Sequence, residues 1–144
     1  MESLDSVKLL EECDAGAKMA IASIDEVLER VCDCNLKNVL QKSKEHHAKL
    51  EDEIHSLLKQ CGAEDKEPSP VAKGMSWMKT NMKLSIDNSD ETVADLIIDG
   101  CNMGVKSLHK YLNQYENADV ESKKICKKLI SIEEKLCEEL KGYL

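Results

Sequence analysis

The chain has 144 residues and a formal net charge of −8, from 20 Lys and Arg against 28 Asp and Glu. An acidic chain with no stripe of basic residues interleaved with aromatics argues against non-specific binding to nucleic acid or to an anionic membrane surface. No apolar run approaches the ~18 residues of a membrane span. The N-terminus, Met1-Glu-Ser-Leu-Asp5, is acidic and lacks the apolar core of a signal peptide, so a cytoplasmic location is expected. There the 7 Cys stay reduced, and an odd number cannot form a complete disulfide set. Aromatic residues make up 3% of the chain and Phe is absent, so the core must be Leu, Ile, Val, Met and Cys. With 2 Pro and 6 Gly, such a composition favours long interdigitating helices. The expected fold is all-α and a single domain over 1–144.

The first helix is expected from about Ser3 to about Cys32, with Val7, Leu10, Ala17, Ile21, Ile24, Leu28 and Val31 on one stripe and Asp14 interrupting it. A break at Asp33-Cys-Asn35 offers Asp33 or Asn35 as an N-cap. Cys32-Asp-Cys34 has no second pair at zinc-ribbon spacing and reads as helix-end residues. The second helix runs from about Leu36 to Cys61. Its stripe is Leu36, Leu40, Ser43, His47, Leu50, Ile54 and Leu57/Leu58, and Gly62 follows as a stop. The short connection makes the two an antiparallel hairpin over 3–62.

Residues 63–90 form a long crossover. Its start is charged and holds Pro68 and Pro70, which marks a loop. A short helix follows from Val71 to about Ile86, with Val71, Met75, Met78 and Met82 on one stripe and Trp77 beside it. Methionine stripes adapt to many shapes, so this helix is either a lid on the bundle or a surface for a second copy or another protein. Asn88-Ser-Asp-Glu91 resembles a capping box. The third helix is expected from Asp90 to about Glu116, with Val93, Ile97, Cys101, Gly104 and Leu108 inward. Gly100 and Gly104 each cost about 1 kcal/mol against Ala, which implies close packing of another element there. After the turn at Asn117-Ala-Asp119, the fourth helix runs from Val120 to Leu140, completing a second hairpin over 90–142.

The two hairpins repeat one another. Cys13-Asp-Ala-Gly-Ala-Lys18 recurs as Cys101-Asn-Met-Gly-Val-Lys106, and Leu50 to Lys59 (LEDEIHSLLK) recurs as Ile132 to Lys141 (IEEKLCEELK). Helical phase places the repeated Cys and Gly inward, and Lys18, Lys106 and most of the acids outward. Two short-linked hairpins joined by a long crossover is the ferritin-like arrangement.

The chain also resembles a family of small bacterial ferritin-like bundles of unknown function, which share the rubrerythrin and ferritin plan. The resemblance covers residues 5–142. It rests on Asp14-Ala-Gly16, the end of helix 2 up to Gly62, Ser69-Pro-Val-Ala-Lys-Gly-Met-Ser-Trp77, and Cys101-Asn-Met-Gly104. It implies a ferritin-like four-helix bundle.

It does not bring a di-iron site with it. Such sites need a Glu from each of two helices and a Glu-x-x-His from each of the other two, all inward. The nearest matches are Asp52-Glu-Ile-His55 and Glu134-Lys-Leu-Cys137. By helical phase, Asp52 and Glu134 face water, His55 sits at the flank and Cys137 is peripheral. The first and third helices offer Asp14 and Asn102 where Glu is required.

A different polar layer falls at mid-bundle. Cys13, Cys101, Glu51 and Glu133 lie at similar height, with Asp14 and His47 nearby. Thiolates and carboxylates in such a layer would hold a single zinc or iron, with Cys13, Cys101, Glu51 and Glu133 as ligands and Asp14 or His47 assisting. The competing expectation is that the Cys are small core residues, the Glu residues snorkel, and His47 is a hydrogen-bonded core histidine. No phosphate loop, GxSxG elbow or HExxH motif occurs. His46 and His47 are adjacent and diverge by about 100° around the helix, which argues against a metal tract, and His109 reads as a surface residue.

Three functions follow. The first is a non-catalytic structural or interaction bundle, dimeric or partnered through Met75, Met78, Met82 and Trp77, with no cofactor. The second is an iron- or zinc-binding oxidoreductase or metal-handling protein using the mid-bundle Cys/Glu layer. The third is a thiol sensor using Cys13 and Cys101.

Overall fold

The computed structural model describes residues 3–63 and 89–144. Among them are four α-helices and no strand: α1 (Leu4–Leu28), α2 (Cys34–Gln60), α3 (Asp90–Gln114) and α4 (Val120–Leu140), with a last turn of 3-10 helix at Lys141–Tyr143. The Met75, Met78, Met82 and Trp77 stripe lies outside the described residues.

Each N-terminus is fixed by a short polar side chain that accepts a backbone N–H in the first turn. Ser3 caps α1, Asp33 caps α2, Ser89 caps α3 and Asp119 caps α4. Of the two caps proposed for α2, Asp33 is used, so the helix begins at Cys34. At α3 the cap is Ser89, bonded to the Thr92 N–H at 3.2 Å; Asn88 of the expected capping box lies outside the described residues. The first helix ends at Leu28, about a turn earlier than its stripe predicted. The second ends where Gly62 takes φ +74°, and the Ala63 N–H bonds the Leu58 carbonyl at 3.0 Å.

The turns reveal the topology. At one end, Cys32 N–H and Asp33 N–H donate to the two carboxylate oxygens of Asp90 at 2.9 and 3.0 Å. At the other end, Asn117 N–H donates to Asp5 Oδ2 at 3.1 Å, and Asp119 N–H donates to Ser6 Oγ at 2.8 Å. The start of α3 therefore lies beside the α1–α2 turn, and the α3–α4 turn lies beside the start of α1. It follows that α3 runs parallel to α2, and α4 parallel to α1. The connection from Ala63 to Ser89 joins opposite ends of the bundle.

The core has two apolar halves. One gathers Ile24, Val27, Leu36, Leu40, Ile97 and Leu136; the other gathers Leu9, Leu10, Leu50, Ile54, Leu108 and Leu129. Between them lies a polar layer of Ser43, His47 and Glu133, all buried. On α1 the buried face is broader than its stripe predicted. Leu9, Cys13 and Val27 are fully buried, whereas Val7, Ile21 and Leu28 are only partly so. The reason is that α1 packs against α2, α3 and α4 at once, α4 lying across the bundle from it, whereas α2 and α3 barely meet.

Candidate functional site

The six sequence-proposed ligands do not form one centre. They divide among three places, and the cause is the lateral position of each helix, which matching heights along the axis do not reveal.

The first place joins α1 to α2. Asp14, 2% exposed, points its carboxylate between the two helices. Its Oδ2 is 3.1 Å from Lys18 Nζ, one turn on, and its Oδ1 is 2.8 Å from His55 Nε2. Glu51 Oε1 lies 3.7 Å from the same His55 nitrogen. Asp14, Glu51 and His55 each offer one ligand atom, all within 4.8 Å of one another, and they form the one group of three or more such residues among those described. Burial pushes the Glu51 carboxyl up, and the adjacent Asp14 charge pushes it further. Asp14 Oδ1 accepts no hydrogen bond of ordinary geometry despite its burial.

His55 is half-exposed at the flank, as expected, and is nonetheless a member of the cluster. The i, i+4 spacing of Glu51 and His55 was the available signal. Lys18 also departs from the outward direction expected of it, because the buried Asp14 carboxylate draws its ammonium in.

The second place is the polar layer. His47 is fully buried, and both its nitrogens face acceptors: Nδ1 is 2.7 Å from the Ser43 carbonyl oxygen and Nε2 is 3.2 Å from Glu133 Oε1. With a proton on each nitrogen, the ring satisfies both acceptors. Burial pulls the His47 pKa down, but the hydrogen bond and charge of Glu133, with the Ser43 carbonyl, outweigh it and leave it above 6.5. Cys101 sits beside Glu133, and burial together with that negative charge pushes its thiol well up.

The third place holds Cys13, which meets Cys126 of α4 and not Cys101. Both thiols are fully buried, and Cys126 Sγ donates to the Leu108 carbonyl at 3.7 Å. The hydrogen bond between the two thiols raises Cys13 and lowers Cys126. All seven cysteines are free thiols.

The repeat persists in the contacts. Asp14 corresponds to Asn102, and His55 to Cys137. As Asp14 meets His55, so Cys137 Sγ donates to Asn102 Oδ1 at 3.6 Å. The second hairpin keeps the contact but has neither the charge nor the imidazole.

An all-α four-helix domain is the class these observations define. Its fold is shared with a solved structure described as a DUF305 fragment from Deinococcus radiodurans. The TM-score is 0.77 over 98% of this chain and 95% of that one, with 14% of residues identical. At that identity the likeness shows the fold alone. No protein-family model matches the chain, and no curated protein matches it. Among the described residues no helix is long and apolar enough to cross a membrane.

Proposed function

We propose that the protein is a ferritin-like bundle that binds one divalent transition metal ion, zinc or iron, through Asp14, Glu51 and His55. The observation that carries this reading is Asp14 Oδ1, a buried carboxylate oxygen with no ordinary hydrogen bond, aimed at a second carboxylate and an imidazole. Lys18 offsets part of this buried charge at Oδ2, and a cation at Oδ1 would supply the partner that oxygen lacks. The spacing fits. Ligands at bonds of about 2.0–2.2 Å stand roughly 2.9–3.5 Å apart in tetrahedral or octahedral shells, close to the 2.8 and 3.7 Å separations here. One imidazole and two carboxylates suit zinc or ferrous iron better than calcium. Burial first, and the Asp14 charge second, push the Glu51 carboxyl up, and a bound cation would favour its ionised form. The topology, with its connection between opposite ends, supports the ferritin-like assignment. Seven free thiols support a reducing, cytoplasmic setting.

A second reading is favoured by Lys18, whose ammonium already neutralises Asp14 Oδ2 at 3.1 Å. On it the cluster is a structural ion-pair network in a non-catalytic bundle. Elemental analysis of protein purified without chelator separates the two. The metal reading expects about one equivalent per chain, lost in Asp14→Asn and His55→Ala and kept in Cys13→Ser. Less than ~0.2 equivalent, with no rise in Tm on adding zinc or ferrous iron, leaves the structural reading.

A further inference from the structure

The wall between α1 and α3 contains a cavity of about 200 Å³. Small residues, among them Ala15, Gly16, Gly104 and Ser107, stand beside larger ones such as Met19 and Leu108 in its sides, and its lining includes Glu133. Gly16 and Gly104 are repeat equivalents, one on each wall. Neither glycine is needed for close packing. A Cβ on Gly104 would meet Glu133 at 3.7 Å, and a Cβ on Gly16 would meet Leu129 at 3.7 Å, both ordinary contacts. Glycine in a helix interior weakens the helix relative to alanine. The chain thus carries two destabilising residues where alanine fits, and their effect is to leave space, including the space directly over the Glu133 carboxylate.

Among the described residues the lining holds two carboxylates, Glu133, which is 6% exposed, and Glu12, and no Lys, Arg or His. Glu12 lies near Tyr111, another lining residue. Glu133 Oε1 is held by His47. A carboxylate has a second oxygen and further lone pairs, so this pairing leaves it able to accept from a ligand. Pockets of mostly apolar lining with one or two placed polar groups are the usual form of small-molecule sites.

We propose that this cavity is a binding site for a slender apolar molecule with a single protonated amine, its hydrocarbon body between α1 and α3 and its ammonium on Glu133. The site is independent of the Asp14, Glu51 and His55 cluster.

The test is titration of the full chain with octylamine, octanol and octanoate, followed by calorimetry and by chemical-shift changes at Gly104 and Ser107. Octylamine is expected to bind at least tenfold more tightly than octanol, and octanoate not at all. Glu133→Gln should bring octylamine and octanol to equal affinity. Should that variant unfold, Gly104→Val and Gly104→Ala carry the test by filling the space: the first abolishes octylamine binding, and the second weakens it while raising Tm. No binding of any of the three probes, equal binding of octylamine and octanoate, or full binding by Gly104→Val would each overturn the proposal. Because metal content is not read, its failure leaves the metal reading untouched.

Discussion

Replacing His47 with Leu tests the polar layer most directly. His47 is fully buried and Glu133 is 6% exposed, with 3.2 Å between Nε2 and Oε1. Removing the imidazolium leaves the carboxylate in a mostly apolar site, and breaking a buried pair from one side costs about 3–5 kcal/mol. A domain of this size has a total stability on the order of 10 kcal/mol, so the single change should remove a third to a half of it. The double change His47→Leu with Glu133→Leu removes both charges and both desolvation penalties, and should fall within about 1 kcal/mol of the parent. Urea unfolding followed by far-UV circular dichroism measures all three proteins. The pH dependence gives a second readout. His47 has a folded pKa above its unfolded 6.5, so the pair's contribution is complete below pH 6.5 and is lost as pH rises through the elevated value. The parent should lose stability over that window, and the double variant should not show the slope. A single-variant cost under about 1 kcal/mol, or a double variant worse than the single, would refute the reasoning.

Gly104→Ala and Gly16→Ala should each stabilise the protein by about 1 kcal/mol in thermal or urea unfolding, because the added methyl meets only ordinary contacts. Gly62→Ala should act oppositely, by about 1 kcal/mol, because φ +74° strains any L side chain. Native thiol titration with a disulfide reagent should show fast reaction at the exposed Cys32 and Cys34 and very slow reaction at the buried Cys13 and Cys101, whose thiolates are suppressed by the Cys126 contact and burial at Cys13 and by burial at Cys101; a single rapid phase for all seven would contradict the packing. If the metal reading holds, Asn102→Asp with Cys137→His restores the missing groups in the second hairpin, and metal content should rise above that of the parent.

The elements were legible because their signals are local. Stripes such as Leu36, Leu40, Leu50 and Ile54 repeat at the helical period, and Asp33, Asp119 and Gly62 act on backbone groups a few residues away. The break in the α1 stripe at Asp14 marked a buried polar group, as did His47 within the α2 stripe. The grouping of ligands was not legible. Height along the bundle put Cys13, Cys101, Glu51 and Glu133 in one layer, but height is one coordinate of three. Which thiol Cys13 meets depends on the lateral packing of α1 against α4, and that packing is set by side chains far apart in the chain.

By itself, then, the sequence determined an acidic, all-helical chain of two similar hairpins, and it showed where polar groups interrupt apolar faces. Only the tertiary structure decided that His55 joins Asp14 and Glu51, that Lys18 turns inward, that Cys13 faces Cys126, and that Gly16 and Gly104 line a cavity together with Glu133. Helical periodicity follows from the backbone geometry of a few neighbouring residues. Side-chain convergence follows from the relative placement of four helices, which no local pattern encodes.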